Sequence, residues 1–222
     1  MSSAREAILG RLRTARGPAP TTPPPVPPAD ADTYADFPDS SVAAMRAAFS
    51  TKFTFLKGEF HAAPDAAAAA RILRALVGET LSGPIWYQKT PLLESVLAKL
   101  PEWRERWRDV AHEGSHDPAG AGAIAGVSSA AALVARSGSL LIRADQQGGR
   151  RLTVLPPLHI VLATPDQLVP SLEQAMALLG PPGSGNWSYA GFITGPSRTG
   201  DIEKILVLGA HGPKRLALIL IG

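Results

Sequence analysis

The chain has 222 residues, 45% hydrophobic and 18% charged, which suits one α/β-sized domain with embellishments or at most two small ones. It contains no Cys, so disulfides, thiolate zinc sites, iron–sulfur clusters and a Cys nucleophile are excluded from this chain. The net charge of +3 is too mild for a nucleic-acid-binding patch. No signal-peptide pattern follows Met1, and the uncharged stretch 118–135 is too rich in Ala and Gly for a membrane span. The expectation is a cytoplasmic protein with no nucleic-acid partner and no membrane span.

Residues 3–16, "SAREAILGRLRTAR", have the spacing of an amphipathic helix, with Ile8, Leu9 and Leu12 on one side. Its apolar face is weak for membrane-surface binding, and packing on its own domain or a subunit neighbour is the plainer reading. The boundaries drawn are an N-terminal helix over 1–16, a Pro-rich linker over 17–34 and an α/β domain over 35–222. "GPAPTTPPPVPP" forbids helix and favours an extended polyproline tether.

From residue 38 the pattern alternates. "DSSVAAMRAAFS" predicts a helix with Asp39 or Ser40 as cap, and "TKFTFLKGEF" predicts a strand. "DAAAAARILRALVG" predicts a helix stopped at Gly78, and "GPIWYQK" a strand. "PLLESVLAKL" and "PEWRERWRDVAHEG" predict helices that start at Pro. "AGAIAGV" reads as a strand, "SAAALVARSG" as a helix with Gly138 at its C-terminal cap, and "SLLIRAD" as a strand. "RLTVLPPLHIVLATP" holds one or two strands, "DQLVPSLEQAMALLG" is largely helical, and "YAGFITG" and "RLALILIG" are strands. Such alternation implies an α/β fold with a largely parallel sheet.

Three motifs invite chemistry. "HEGSH" matches H-E-x-x-H, but Gly114 breaks the helix that would put His112 and His116 on one face, so no metal is expected. "GAGAIAG" fits a relaxed dinucleotide fingerprint, yet its glycines precede and form the strand, which reads better as close packing in a central strand. "WRERWR" interleaves aromatics with Arg. At helical spacing Trp103 and Trp107 share one face, as a half-buried helix requires without any nucleic acid.

The stretch "FITGPSRTGDIEKILVLGAHGP" is different. A Gly-rich turn between a strand and a following helix would aim backbone N–H groups at an anion, at a strand's C-terminal edge. Ser197 and Thr199 add hydroxyls, Arg198 a guanidinium fork, and Asp201 a helix cap. A second turn, 210–213, brings His211 and Gly212. The expected ligand-binding set is Gly138, Ser139, Thr194, Gly195, Ser197, Arg198, Thr199, Asp201, His211 and Gly212 around one anion pocket, with Ile205 to Leu208 anchoring the edge. A capped helix with a surface Arg accounts equally well for the pattern. No catalytic residue is assigned.

Phe192 to Pro213 resembles the signature of the LUD domain, the lactate utilisation protein C family: F-I-T/S-G-P-S-x-[ST]-x-D-I-E, an apolar run, then G-V-H-G-P, with Ala210 where Val is usual. "GRRLTVLPPLHIVL" and "GVSSAAALVARSGSLLI" are similar to further family segments. The resemblance covers roughly residues 35–222. It implies a Rossmann-like, largely parallel sheet flanked by helices, similar to the isomerase and coenzyme A transferase superfamily. It also implies a role in oxidising L-lactate to pyruvate, shared with iron–sulfur and cysteine-rich partner subunits that would carry the clusters. Arg136 and Ala131 stand where family members often have acidic residues. Covalent catalysis by the chain alone is thereby disfavoured, unless Arg136 serves as a counter-charge for the ligand. Two readings follow: an accessory subunit that binds a small anion or its partners, or a free-standing enzyme on a phosphosugar or acyl substrate.

Overall fold

The computed structural model describes residues 4–16, 37–78, 83–110, 122–143, 151–180, 189–200, 206–208 and 211–222. The chain divides into two compact units, 1–36 and 37–222. In the first, α1 (Ala4–Arg16) is a helix on which Ile8 and Leu12 are exposed and Leu9 is half-buried.

The second unit opens with α2 (Val42–Phe55). Its cap is Ser41, whose Oγ accepts the Ala44 N–H, while Asp39 braces the cap by accepting the Ser41 N–H at 2.8 Å. The strand expected over 51–60 is a correction. Met45, Phe49 and Phe53 recur at four-residue spacing and are buried on one helical face, so the helix runs on to Phe55. The Phe49 and Phe53 rings stack at 5.3 Å.

Strand β1 (Glu59–Ala63) begins only after the turn at Lys57. Helix α3 (Ala66–Val77) starts at Asp65, whose Oδ1 accepts the Ala68 N–H at 2.7 Å, and ends at Gly78 with φ +76°. Next come β2 (Ile85–Tyr87) and α4 (Pro91–Leu97), which has Thr90 as cap and Pro at its first turn.

The helix expected from Pro101 is also corrected. It is a 3₁₀ segment, Pro101–Arg106, followed by β3 (Trp107–Asp109). Trp103 and Trp107 meet with ring centroids 6.1 Å apart across that junction, not along one helix.

The strand β4 (Ala125–Ser129) carries Gly126, where a Cβ would lie 2.5 Å from the Leu152 carbonyl oxygen. This is the close packing of small residues expected there. The helix expected over 129–138 is instead β5 (Ala132–Val134) and a turn into β6 (Ser139–Arg143). The reason is two-sided burial. Ala132 and Val134 face one apolar cluster and Leu133 and Ala135 another, an alternation only a strand satisfies. The remaining elements are α5 (Arg151–Val154), β7 (Leu158–Ala163), β8 (Leu168–Val169) and α6 (Leu172–Ala177). They are followed by β9 (Ala190–Ile193), β10 (Arg198–Gly200), β11 (Leu206–Leu208) and β12 (Arg215–Ile221).

Six strands form a parallel sheet in the order β1-β12-β7-β4-β2-β3. One face packs Ile160, Leu162 and Ile219 against Leu73 of α3 and Leu93 of α4. The other packs Val161, Leu216 and Leu218 against Phe49 and Phe53 of α2 and against Leu133 and Leu140 of a second sheet. Burying each such side chain contributes about 1.5–3 kcal/mol. That second sheet, β8-β5-β6-β9, is mixed, and its far face meets Ala175 of α6. The fold is therefore α/β with a largely parallel main sheet, extended by a layer the sequence did not announce.

Candidate functional site

Two turns converge on one cavity. The first follows β9: Thr194, Gly195, Pro196 and Ser197 lead into β10. Gly195 has φ +93°, and a Cβ there would lie 2.6 Å from the carbonyl oxygen of Leu56 at the end of α2. Only Gly combines that backbone conformation with that approach. The second turn, 211–214, precedes β12. At Gly212 an added Cβ would meet the Ser197 side chain at 3.2–3.4 Å, so the missing side chain lets the turns touch. The Ser197 N–H donates to the Pro213 carbonyl at 2.9 Å and ties them together.

The cavity measures about 190 Å³. Gly195, Pro196 and Ser197 line it from the first turn, and His211, Gly212 and Pro213 from the second. Apolar wall comes from Ile142 of β6, Val154 of α5, Ile193 of β9 and Leu216 of β12, with Thr153, His159 and Tyr189 as further polar groups. An apolar pocket with a few convergent polar groups is the usual build of a small-molecule site. Among the described residues the wall holds no Asp, Glu or Lys.

His159 is buried in this wall. Its Nε2 lies 2.8 Å from Ser128 Oγ on the neighbouring strand β4. Its Nδ1 is buried and without a partner among the described residues. Burial in apolar surroundings pushes its pKa down from 6.5 to about 4, so the ring is neutral at physiological pH. His211 is exposed to solvent.

Of the expected ligand-binding residues, Gly195, Ser197, His211 and Gly212 come together on the cavity wall. Ser139 and Thr194 do not. Their hydroxyls lie 2.8 Å from each other, and Ser137 Oγ donates to Ser139 Oγ, so these hydroxyls serve one another. Gly138, with φ +67°, lies where a Cβ would be 2.7 Å from the Phe53 backbone N; it lets the β5–β6 turn sit on α2. Arg198 is exposed, outside the wall, with Nη2 near Gly195. Thr199 pairs with Val207 in the β10–β11 hairpin; its side chain, Asp201 and Ile205 lie outside the described residues.

Further corrections concern the surroundings of these turns. The turn at 194–197 leads into a strand, not a helix, because 198–200 pairs antiparallel with the apolar run 206–208. Leu206 to Leu208, expected to anchor this edge to the core, pair with 198–200 as a hairpin, and their side chains lie outside the described residues. The cavity follows the C-terminal end of β9 but borders the first residues of β7 and β12, the N-terminal end of the parallel sheet. Arg136 is exposed in the 135–138 turn and does not line the cavity. Its charge acts on Glu173, whose carboxyl is held below its ordinary pKa chiefly by a hydrogen bond from Ser171. His112 and His116 lie outside the described residues, and no group of three or more His, Asp or Glu among the described residues is placed to hold a metal. No described helix is long and apolar enough to cross a membrane.

His159, Thr153 and Tyr189 were missed by the sequence reading. The one signal for His159 is a polar residue inside the apolar strand "LHIVLA".

A known structure, that of a DUF162 family protein from Deinococcus radiodurans, superimposes with a TM-score of 0.63 at 18% identity, over 83% of this chain and 100% of that one, and so shares the fold. Lactate utilization protein C of Bacillus velezensis is 30% identical over 168 residues, 71% of this chain and 70% of that protein. Lactate utilization protein C of Bacillus subtilis is 30% identical over 162 residues, 67% of each. The LUD domain matches residues 47–221, from within α2 to the end of β12 and across both turns of the cavity, and the chain belongs to the LUD domain family.

Proposed function

We propose that this protein is an accessory component of L-lactate oxidation to pyruvate, which binds a small carboxylate in the cavity between the two turns. It acts in the cytoplasm beside iron–sulfur and cysteine-rich partner subunits, since a chain without Cys has no cluster of its own to pass electrons through. The observation that carries the reading is the junction itself, where Ser197 and His211 face one cavity of about 190 Å³ whose remaining wall is mainly apolar. That volume is small for a phosphosugar or an acyl carrier and suits a three-carbon acid. Among the described residues the wall has no Asp, Glu or Lys to act as a carboxylate or amine nucleophile, which favours binding over covalent catalysis. The names of the two Bacillus relatives support the lactate assignment.

The test is calorimetric titration of the full chain with L-lactate and pyruvate, beside growth on lactate of a deletion strain complemented with each variant. His211→Ala is expected to weaken binding by about tenfold, the worth of one charge-assisted donor, and to slow growth. Arg198→Ala is expected to cost less, because its guanidinium stands outside the wall. Unchanged binding and growth in His211→Ala would remove these turns from the function. Turnover of lactate by the isolated chain would replace the accessory reading with a free-standing enzyme.

A further inference from the structure

One residue that lines the cavity has a polar atom without a partner. His159 lines the cavity together with Leu216 and Ile142, and its Nδ1 is buried, with no donor or acceptor reaching it among the described residues. Leaving a polar nitrogen unmatched in an apolar wall is unfavourable, and such a group calls for a partner from outside the protein, such as a water, an ion or a ligand. The ring's other nitrogen is fixed by Ser128, at 2.8 Å across adjacent parallel strands. That contact holds the ring's orientation, as a second residue does for many ligand-binding imidazoles.

We propose that His159, oriented by Ser128, is the residue that recognises the oxygen on carbon 2 of the bound acid, so that the cavity selects 2-hydroxy and 2-oxo acids over plain carboxylic acids. This rests on the carboxylate reading above. The division of labour follows from position. Ser197 and His211 belong to the turns and take the carboxylate, while His159 sits at the start of β7 among apolar residues. A neutral imidazole there matches a neutral oxygen better than a second anion contact would. If the Ser128 hydroxyl donates to Nε2, Nδ1 carries the proton and donates to a keto or hydroxyl oxygen. If Ser128 accepts instead, Nδ1 is an acceptor and only a hydroxyl satisfies it. A hydroxy acid fits both tautomers and a keto acid one, so Ser128 acts as a positioning residue for the choice between them.

The experiment compares L-lactate, pyruvate and propionate, which has the same carbon chain without the oxygen, as ligands of the full chain in calorimetric titrations. The unsubstituted protein is expected to prefer lactate over propionate by about tenfold, the worth of one buried hydrogen bond and its desolvation. His159→Phe is expected to abolish that preference while leaving propionate affinity within about twofold, because the aromatic volume is kept. Ser128→Ala is expected to shift the lactate-to-pyruvate ratio. Should His159→Phe fold poorly, imidazole ¹⁵N spectra of the unsubstituted protein give a second reading. One neutral ring is expected to shift on saturation with lactate and not with propionate. A lactate preference that survives His159→Phe, or equal ¹⁵N responses to the two acids, would overturn the assignment of His159. Equal binding of all three acids would overturn it while leaving the carboxylate site standing. Failure of all three to bind at millimolar concentration would overturn the carboxylate site itself.

Discussion

Arg215 grips both carboxylate oxygens of Glu59, with Nε and Nη2 each 2.8 Å from an oxygen, across the pairing of β12 with β1. Its Nη1 also donates to the Leu76 carbonyl at the end of α3, so one side chain joins the sheet to the helix covering it. The guanidinium hydrogen bonds hold the Glu59 carboxyl below its ordinary value of 4.5. The stabilising contribution is therefore complete above pH 4.5 and is lost as acid protonates the native carboxyl below that value. Both groups are partly exposed, so screening keeps the pair modest. Glu59→Gln is expected to cost about 0.5–1 kcal/mol at pH 7 in urea unfolding, and less in high salt. A loss of several kcal/mol at pH 7 would contradict this account.

His159 gives stability a second pH dependence in a different window. The unfolded ring takes up a proton near pH 6.5, whereas the native ring resists it to about 4. Stability from this group is complete above 6.5, falls as the pH drops from 6.5 toward 4, and levels off below. The loss across the window is on the order of 3 kcal/mol. Unfolding free energies measured between pH 7 and 4 should flatten in His159→Phe relative to the unsubstituted protein. They should keep their slope in Glu59→Gln, whose own window lies lower.

Gly195→Ala should lower stability by about 1–3 kcal/mol in the same unfolding assay. The new methyl meets a backbone oxygen, which has no rotamer to escape into, and the residue must hold φ +93°. Pyruvate affinity should fall with it, since the turn carries Ser197 into the cavity wall. Gly122→Ala is the control. An added Cβ there meets nothing within 4 Å, and the change should be small.

The parts of the fold legible in the sequence were those where local signals agreed with tertiary demand. Asp65, the alanines after it and Gly78 spell a capped helix, and α3 is that helix. The "SLLIRAD" and "RLALILIG" runs were readable as buried strands. Where Ala dominated, as over 129–135, helix propensity misled, because burial on both faces decided the outcome and propensity is the weaker force. At Trp103 and Trp107 the spacing fitted a helix, but the change from a 3₁₀ segment to an extended strand at Trp107 brings the same rings together. The two turns of the site were visible as glycine and proline punctuation. That Ser139 and Thr194 would bond each other, and that a buried His would stand opposite Ser128, depends on strand order, which no local pattern encodes.

The place of β12 has a consequence for biosynthesis. It lies between β1 and β7, and among the described residues β1 has no other neighbour in the sheet. While the ribosome is still making the middle of the chain, β1 is an adhesive ribbon with two open sides and a growing tether behind it. It stays so until residues 215–221 emerge and slide in beside it. Nascent chains stalled before that point should therefore be unusually dependent on chaperones that shield bare strands.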